Sequence, residues 1–158
     1  MNNQETDISK RLLECMHASV TDTLSTMAFL EAKLINTQTM DTFTCTSQVA
    51  GLIYLHGNHE GMIALTGDRS DIVQIVSKVI ALPAEKMLDD DIMDGVSELI
   101  NMIAGGMKSK AGLSSQANLA PPISVMGTPS LTQWKTSSPT NIFTFQTEVG
   151  KFQVYASV

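Results

Sequence analysis

Apolar and polar positions change period several times along the chain, and each change marks an element. From about Asp7 to Met27, Ile8, Leu12, Cys15, Met16 and Met27 fall on or near one helical stripe, with Lys10, Arg11 and Glu14 off it. That spacing predicts a first helix, with Asp7 placed to cap it. Between Thr42 and Thr66 the period shortens. The stretches TFTCTSQVAGLIYLHG and HEGMIALTG are rich in β-branched and aromatic residues, and Gly57-Asn58 between them is a hairpin-turn signal. At least two antiparallel strands are expected there. In DRSDIVQIVSKVIAL the helical period returns, with Ile72, Val76, Val79 and Ile80 on one face, Asp68 or Ser70 as caps, and Pro83 ending the helix after Leu82.

A second long helix is predicted from the acidic run at 89–91 to about Lys110, with Gly112 as its stop. Acidic residues at a helix start fit the positive end of the helix dipole. SSQANLAPP reads as loop, ISVMG as a short buried strand, and TPSLTQWKTSSPTN as mostly loop with a short strand around Trp134. In the closing IFTFQTEVGKFQVYASV, Phe143 and Phe145, then Phe152, Val154, Ala156 and Val158, alternate with their neighbours about a turn near Gly150, which predicts a hairpin. The order is helix, strands, helix, helix, strands. It predicts an α+β fold, an antiparallel-rich sheet with the long helices packed on one face, formed by residues 1–158 as a single domain.

The helix after residue 89 has a distinctive projection. At 100° per residue from Ile92, the side chains of Val96, Leu99, Ile100, Ile103 and Met107 fall within roughly 100° of arc, a stripe that should face the sheet. Asp94, Glu98, Asn101 and Gly105 fall within roughly 60° on the opposite side. Their offsets of 4, 3 and 4 residues stack them in one file, and Asp94 to Asn101 spans about 10 Å along the axis. Such a file is ordinarily just a solvated face. Three details oppose that. Asp94 and Glu98 set like charges four residues apart instead of a Glu–Lys pair. Asn101 is a weaker helix former than Lys, Gln or Glu. Gly105 costs about 1 kcal/mol relative to Ala in a helix interior, and a missing side chain lets another surface approach.

The totals narrow the function. The chain has 158 residues, 43% apolar and 16% charged, and a net charge of −6, so a globular domain is expected and non-specific nucleic-acid binding is not. MNNQETDISK has no signal-peptide character, and no stretch reaches the ~20 apolar residues of a membrane span. A soluble cytoplasmic protein is expected. Cys15 and Cys45 lack metal-ligand spacing and read as small buried apolar residues, while the ten methionines read mainly as core filler.

Other motifs fail on inspection. DDDIMDG, aligned as a calcium loop with Gly95 sixth, puts Ile92 third and Asn101 where a bidentate Glu belongs. GGMKSK lacks the phosphate-loop spacing and continues a helix. His17, His56 and His59 form no ligand pattern, and no metal site is expected.

Asp-x-x-x-Glu-x-x-Asn on a long helix (Asp94, Glu98, Asn101), followed roughly twenty residues later by Pro121 or Pro122 before ISVMG, resembles the CheC/CheX/FliY family of chemotaxis phosphatases. The surrounding ELINMIAGGMKSKAG and the order of elements resemble it too, over most of the chain. The spacing to the proline is slightly shorter than the family pattern. Within the family, a single motif points to a CheX-like member, since the first helix offers Glu14 followed by His17 instead of a second Glu-x-x-Asn. His17 then reads as a packed or surface residue.

The resemblance implies a CheC/CheX-like fold, a homodimer, and as substrate the phosphorylated aspartate of a CheY-like response-regulator receiver domain. It implies catalytic roles for Glu98 and Asn101, and a partner-facing surface of Asp94, Glu98 and Gly105. The Mg2+ of such a reaction sits in the receiver, so no cofactor of the chain's own is expected. The residue types suit the task. An amide offers one acceptor and two donor hydrogens without net charge, so Asn101 could orient a water beside a phosphoryl group without repelling it. Glu98 could pair with the receiver lysine that the family implies. Two other readings remain open: a non-catalytic receiver-docking or flagellar-switch module of the same fold, and, more distantly, a small-molecule-binding domain with an apolar pocket away from the long helix.

Overall fold

The structure of the protein, a computed structural model, describes residues 3–134 and 138–158, and the side chains of 7–42, 45–127 and 138–158. Among the described residues the helices are α1 (Asn3–Ala28), α2 (Arg69–Ile80) and α3 (Asp89–Lys110). The strands are β1 (Lys33–Met40), β2 (Phe43–Gly57), β3 (Gly61–Gly67), β4 (Ala117–Leu119), β5 (Ile123–Trp134), β6 (Thr140–Gln146) and β7 (Lys151–Ser157). They form one sheet in the order β1-β6-β7-β3-β2-β4, with β5 also paired to β2, and every ladder is antiparallel. The helices pack on one face of it around a core that includes Leu12, Met16, Ile53, Ile72, Val96, Ile100 and Phe145. The expected α+β architecture is the observed one.

Several boundaries move. α1 starts at Asn3, so Asp7 lies inside the helix and does not cap it. Asp68 is the N-cap residue of α2 but makes no side-chain bond to it, and the helix ends at Ala81, whose φ of 54° turns the chain before Pro83. β1 falls in a stretch with no alternating apolar pattern. Seven of its eight residues are exposed and one is half-buried, so backbone pairing with β6 holds it, not side-chain burial. The expected loop at 114–122 contains the short β4, and the expected loop after Gly127 is the second half of β5 as far as Trp134. The register between β2 and β5 passes from Val49↔Met126 to Ser47↔Ser130, which leaves Gly127, Thr128 and Pro129 opposite Gln48. A bulge tolerates a proline that a regular ladder would not. Residues 135–137 of the same expected loop lie outside the described residues.

The second face of the sheet carries its own apolar cluster, including Leu52, Met62, Ala64, Ile142 and Tyr155, with buried Cys45 beside them. Cys15 is only half-buried, and both cysteines are free. Burial, aided by Cys45, pushes the Tyr155 phenol from 10 up to about 12. The folded state therefore holds this proton more tightly than the unfolded one. Its contribution is complete below pH 10 and is lost as pH rises to about 12. A urea midpoint series across that range should fall more steeply for the parent than for Tyr155→Phe.

Candidate functional site on helix α3

Helix α3 is fixed on all the sides that touch protein. Its inward stripe is Ile92, Val96, Leu99, Ile100, Ile103 and Met107, each no more than 1% exposed. One flank meets α2 at Gly95, where an added Cβ would lie 2.2 Å from Val76 Cγ1. The other flank meets α1 at Gly106, where an added Cβ would lie 2.4 Å from Ser19 Oγ. That buried hydroxyl donates to the Ile103 carbonyl at 2.6 Å. The hydroxyls of Ser97 and Ser124 are 2.5 Å apart, which ties the start of β5, just after Pro121 and Pro122, to the middle of the helix. These contacts set the rotation of α3 about its own axis, and so the direction of its outer face.

Both ends of the helix are secured as well. The Leu88 N–H donates to the Asp91 carboxylate at 2.8 Å, and Asp89 pairs with Arg69 at 2.6 Å. At the other end Lys108 donates to the Ala117 carbonyl and Lys110 pairs with Asp22. The acidic run of the first turn thus serves capping and pairing at the positive end of the helix.

The outer face carries the predicted file. Asp94, Glu98 and Asn101 are all exposed, and among the described residues none of their side chains has a hydrogen-bond or ion-pair partner. Three adjacent polar groups with no partner among the described residues are available to another molecule. Gly105 continues the file, and an added Cβ there would meet nothing within 4 Å. Of the three glycines in α3, two are seats for neighbouring helices and Gly105 alone opens outward.

The structure adds two features that sequence reasoning missed. Met102 is 48% exposed beside Asn101, off the inward stripe. A groove of about 500 Å³ between α1 and α3 has Asn101, Met102 and Gly105 on one wall and Asp22, Thr26 and Met27 on the other. The helical projection places Met102 off the apolar arc, so its exposure could have been read from the sequence. The groove depends on the crossing of α1 and α3 and could not. His17 is exposed, with its ring 6.1 Å from that of Phe145, and His56 stacks on Tyr54.

The fold, a long helix packed with two others on one face of an antiparallel sheet, is shared with several solved structures. CheX from Desulfovibrio desulfuricans is 23% identical, with a TM-score of 0.78 over 95% of this chain and 97% of that one. The CheX of a CheX–CheY–BeF3–Mg2+ complex from Borrelia burgdorferi is 18% identical, with a TM-score of 0.68 over 92% and 96% of the two chains. FliY from Thermotoga maritima is 18% identical, with a TM-score of 0.66 over 100% of this chain and 92% of that one. No curated protein sequence matches. The family profile described as Chemotaxis phosphatase CheX matches residues 49–146, and the chain belongs to that family. No helix among the described residues is long and apolar enough to cross a membrane.

Proposed function

We propose that the protein hydrolyses the aspartyl phosphate of a CheY-like receiver domain, with Asn101 orienting the attacking water and Glu98 anchoring the receiver. The observation that carries this reading is the unpartnered Glu98–Asn101 pair on the outer face of α3, in a chain of the CheX family. The Borrelia burgdorferi complex of a CheX with CheY, BeF3 and Mg2+ supports the choice of partner.

The reaction asks little covalent chemistry of the protein. An aspartyl phosphate is an activated acyl phosphate. Water oxygen forms a bond to phosphorus, the bond from phosphorus to the aspartate oxygen breaks, and the carboxylate leaves with the electron pair. The water's protons pass to phosphate and solvent. The barrier is lowered by placing the water in line with the breaking bond. The Asn101 amide supplies an acceptor for a water hydrogen and donors for phosphoryl oxygen while adding no negative charge. Glu98, one turn earlier, is placed to pair with a lysine of the receiver and so to fix the helix over the phosphoryl group. Asp94 extends the docking surface by a further turn. In this reading Mg2+ is held by the receiver, the chain supplies no cofactor, and the active species is a homodimer.

Phosphate release from a phosphorylated receiver, measured for the parent, Asn101→Ala and Glu98→Ala, tests the assignment. Glu98→Ala should chiefly raise KM. Full activity in Asn101→Ala would remove Asn101 from its role. A protein that binds the receiver without accelerating phosphate release would be the docking module instead.

Gly105 provides a separate check. Gly105→Ala should raise stability by up to about 1 kcal/mol, because the methyl replaces helix-interior glycine and meets no neighbour. It should lower receiver affinity, because the same methyl projects into the approach surface. A more stable protein with unchanged affinity would show that the clearance is not used.

A further inference from the structure

Of the large apolar side chains of α3, only Met102 is exposed, at 48%. A single exposed methionine is ordinary on a protein surface. The surroundings of this one are not. Projected along the helix it lies about 60° from Gly105 and about 100° from Asn101, between the outward file and Gly106, which sits against Ser19 of α1. It shares a groove of about 500 Å³ with Asn101 and Gly105, and half-buried Met27 of α1 and Leu119 of β4 line the same groove. Gly105 keeps the groove open, since an added Cβ there would meet nothing within 4 Å. Lys110 of α3 pairs with Asp22 of α1 at 2.5 Å, and both line the groove, so the ion pair ties its two walls together.

Position indicates the occupant. Asn101 and Gly105 belong both to the outward file and to the groove, so a molecule that covers the file reaches the groove as well. In the proposed reaction the receiver's aspartyl phosphate comes within hydrogen-bond reach of Asn101, which brings the receiver surface around it over the neighbouring Met102. A specific protein interface takes roughly 800 Å² from each partner, more than one file of four residues supplies. The file is acidic and polar, and apolar contact is what it lacks. Methionine is enriched in interfaces, because its unbranched thioether adapts to the shape it meets. A second copy of this chain seated in the groove would instead cover Asn101 and exclude the substrate.

We infer that this groove is a socket for an apolar side chain of the receiver, with Met102 as its main contact, and that it supplies docking affinity while Asn101 addresses the phosphoryl group. The inference rests on the phosphatase reading above. Full-length parent, Met102→Gln, Met102→Ala and Met102→Leu are compared for binding to a CheY-type receiver loaded with BeF3 and Mg2+, for turnover of the phosphorylated receiver, for thermal unfolding and for self-association. Met102→Gln keeps the length of the side chain but makes its end polar, and Met102→Leu keeps it apolar. Met102→Gln and Met102→Ala should bind the receiver on the order of tenfold more weakly, with KM raised in step and kcat at saturation unchanged. Met102→Leu should stay close to the parent. All three should unfold near the parent's temperature, because an exposed side chain leaves no cavity behind. Parent-like affinity and KM in Met102→Gln and Met102→Ala would overturn the inference. So would a lower kcat at unchanged KM, which would make Met102 part of the chemistry. Loss of self-association with receiver affinity intact would overturn it too, and would assign the groove to a second copy of this chain. If the parent binds the receiver without turning it over, the phosphatase reading falls and the affinities alone judge the socket. If the parent does not bind the receiver, both fall. If the parent binds and turns it over and the variants match it, the socket alone falls.

Discussion

Asn101→Ala is expected to slow phosphate release from a phosphorylated receiver by about a hundredfold, equivalent to about 2.7 kcal/mol of barrier. It should leave the protein folded and at least as stable. The two halves of this expectation have separate physical origins. Asn101 is exposed and unpartnered, so its removal opens no cavity and orphans no buried group. Alanine is the better helix former by up to about 0.7 kcal/mol, which favours the variant's fold. The loss is confined to positioning, since without the amide the water must find its line of attack unaided. Because an amide does not titrate, the residual activity should keep the pH dependence of the parent. Asn101→Asp should be equally slow, since it places a negative charge beside the phosphoryl group. A destabilised Asn101→Ala protein, or one with an altered pH profile, would mean that the residue serves something other than a water.

The residue beside it should behave in the opposite way. Ile100 is 0% exposed and lies on the sheet side of α3, with Cγ2 3.3 Å from where a Cβ on Gly51 of β2 would sit. Ile100→Ala removes three buried carbon atoms at a site with little freedom to collapse. It should cost about 2–5 kcal/mol, a large share of the roughly 5–15 kcal/mol by which a domain is stable. The urea midpoint should fall while the slope of the transition stays the same. Phosphatase activity per folded molecule should be affected far less than in Asn101→Ala, because the backbone and the flanking contacts at Gly95, Gly106 and Ser97 still hold the outer face. Two adjacent residues would then separate stability from turnover. If Ile100→Ala abolished turnover at unchanged stability, the inner and outer faces of α3 would not be divided as described.

That division was legible in the sequence. The inward stripe and the outward file of α3 differ in angle by about half a turn of a regular helix. The acidic first turn and Gly112 mark its ends, which the structure places at Asp89 and Lys110. The two hairpins were legible too, the first from its β-branched and aromatic residues on either side of Gly57-Asn58, the second from the alternation of Phe, Val and Ala about Gly150. β1 was not, because an edge strand held by backbone pairing leaves no side-chain pattern to read. The length of β5 was hidden by Gly127 and Pro129, which signal a loop but here lie in a bulge. Of the three glycines of α3, the projection already placed Gly105 in the outward file; that Gly95 and Gly106 admit neighbouring helices is visible only in the packed structure. The φ of 54° at Phe29 and its 90% exposed side chain were unreadable because both are properties of the turn after α1, and an aromatic residue there gives no local sign of either.

The central claim is that the outer face of α3 turns over an aspartyl phosphate instead of merely contacting the receiver. Phosphate release from an excess of phosphorylated CheY-type receiver, with the protein in catalytic amount, tests it most directly. Many molecules of phosphate per molecule of protein, well above the receiver's own rate, with the excess lost in Asn101→Ala, is the predicted result. No acceleration by the parent, or equal acceleration by the parent and Asn101→Ala, would contradict it.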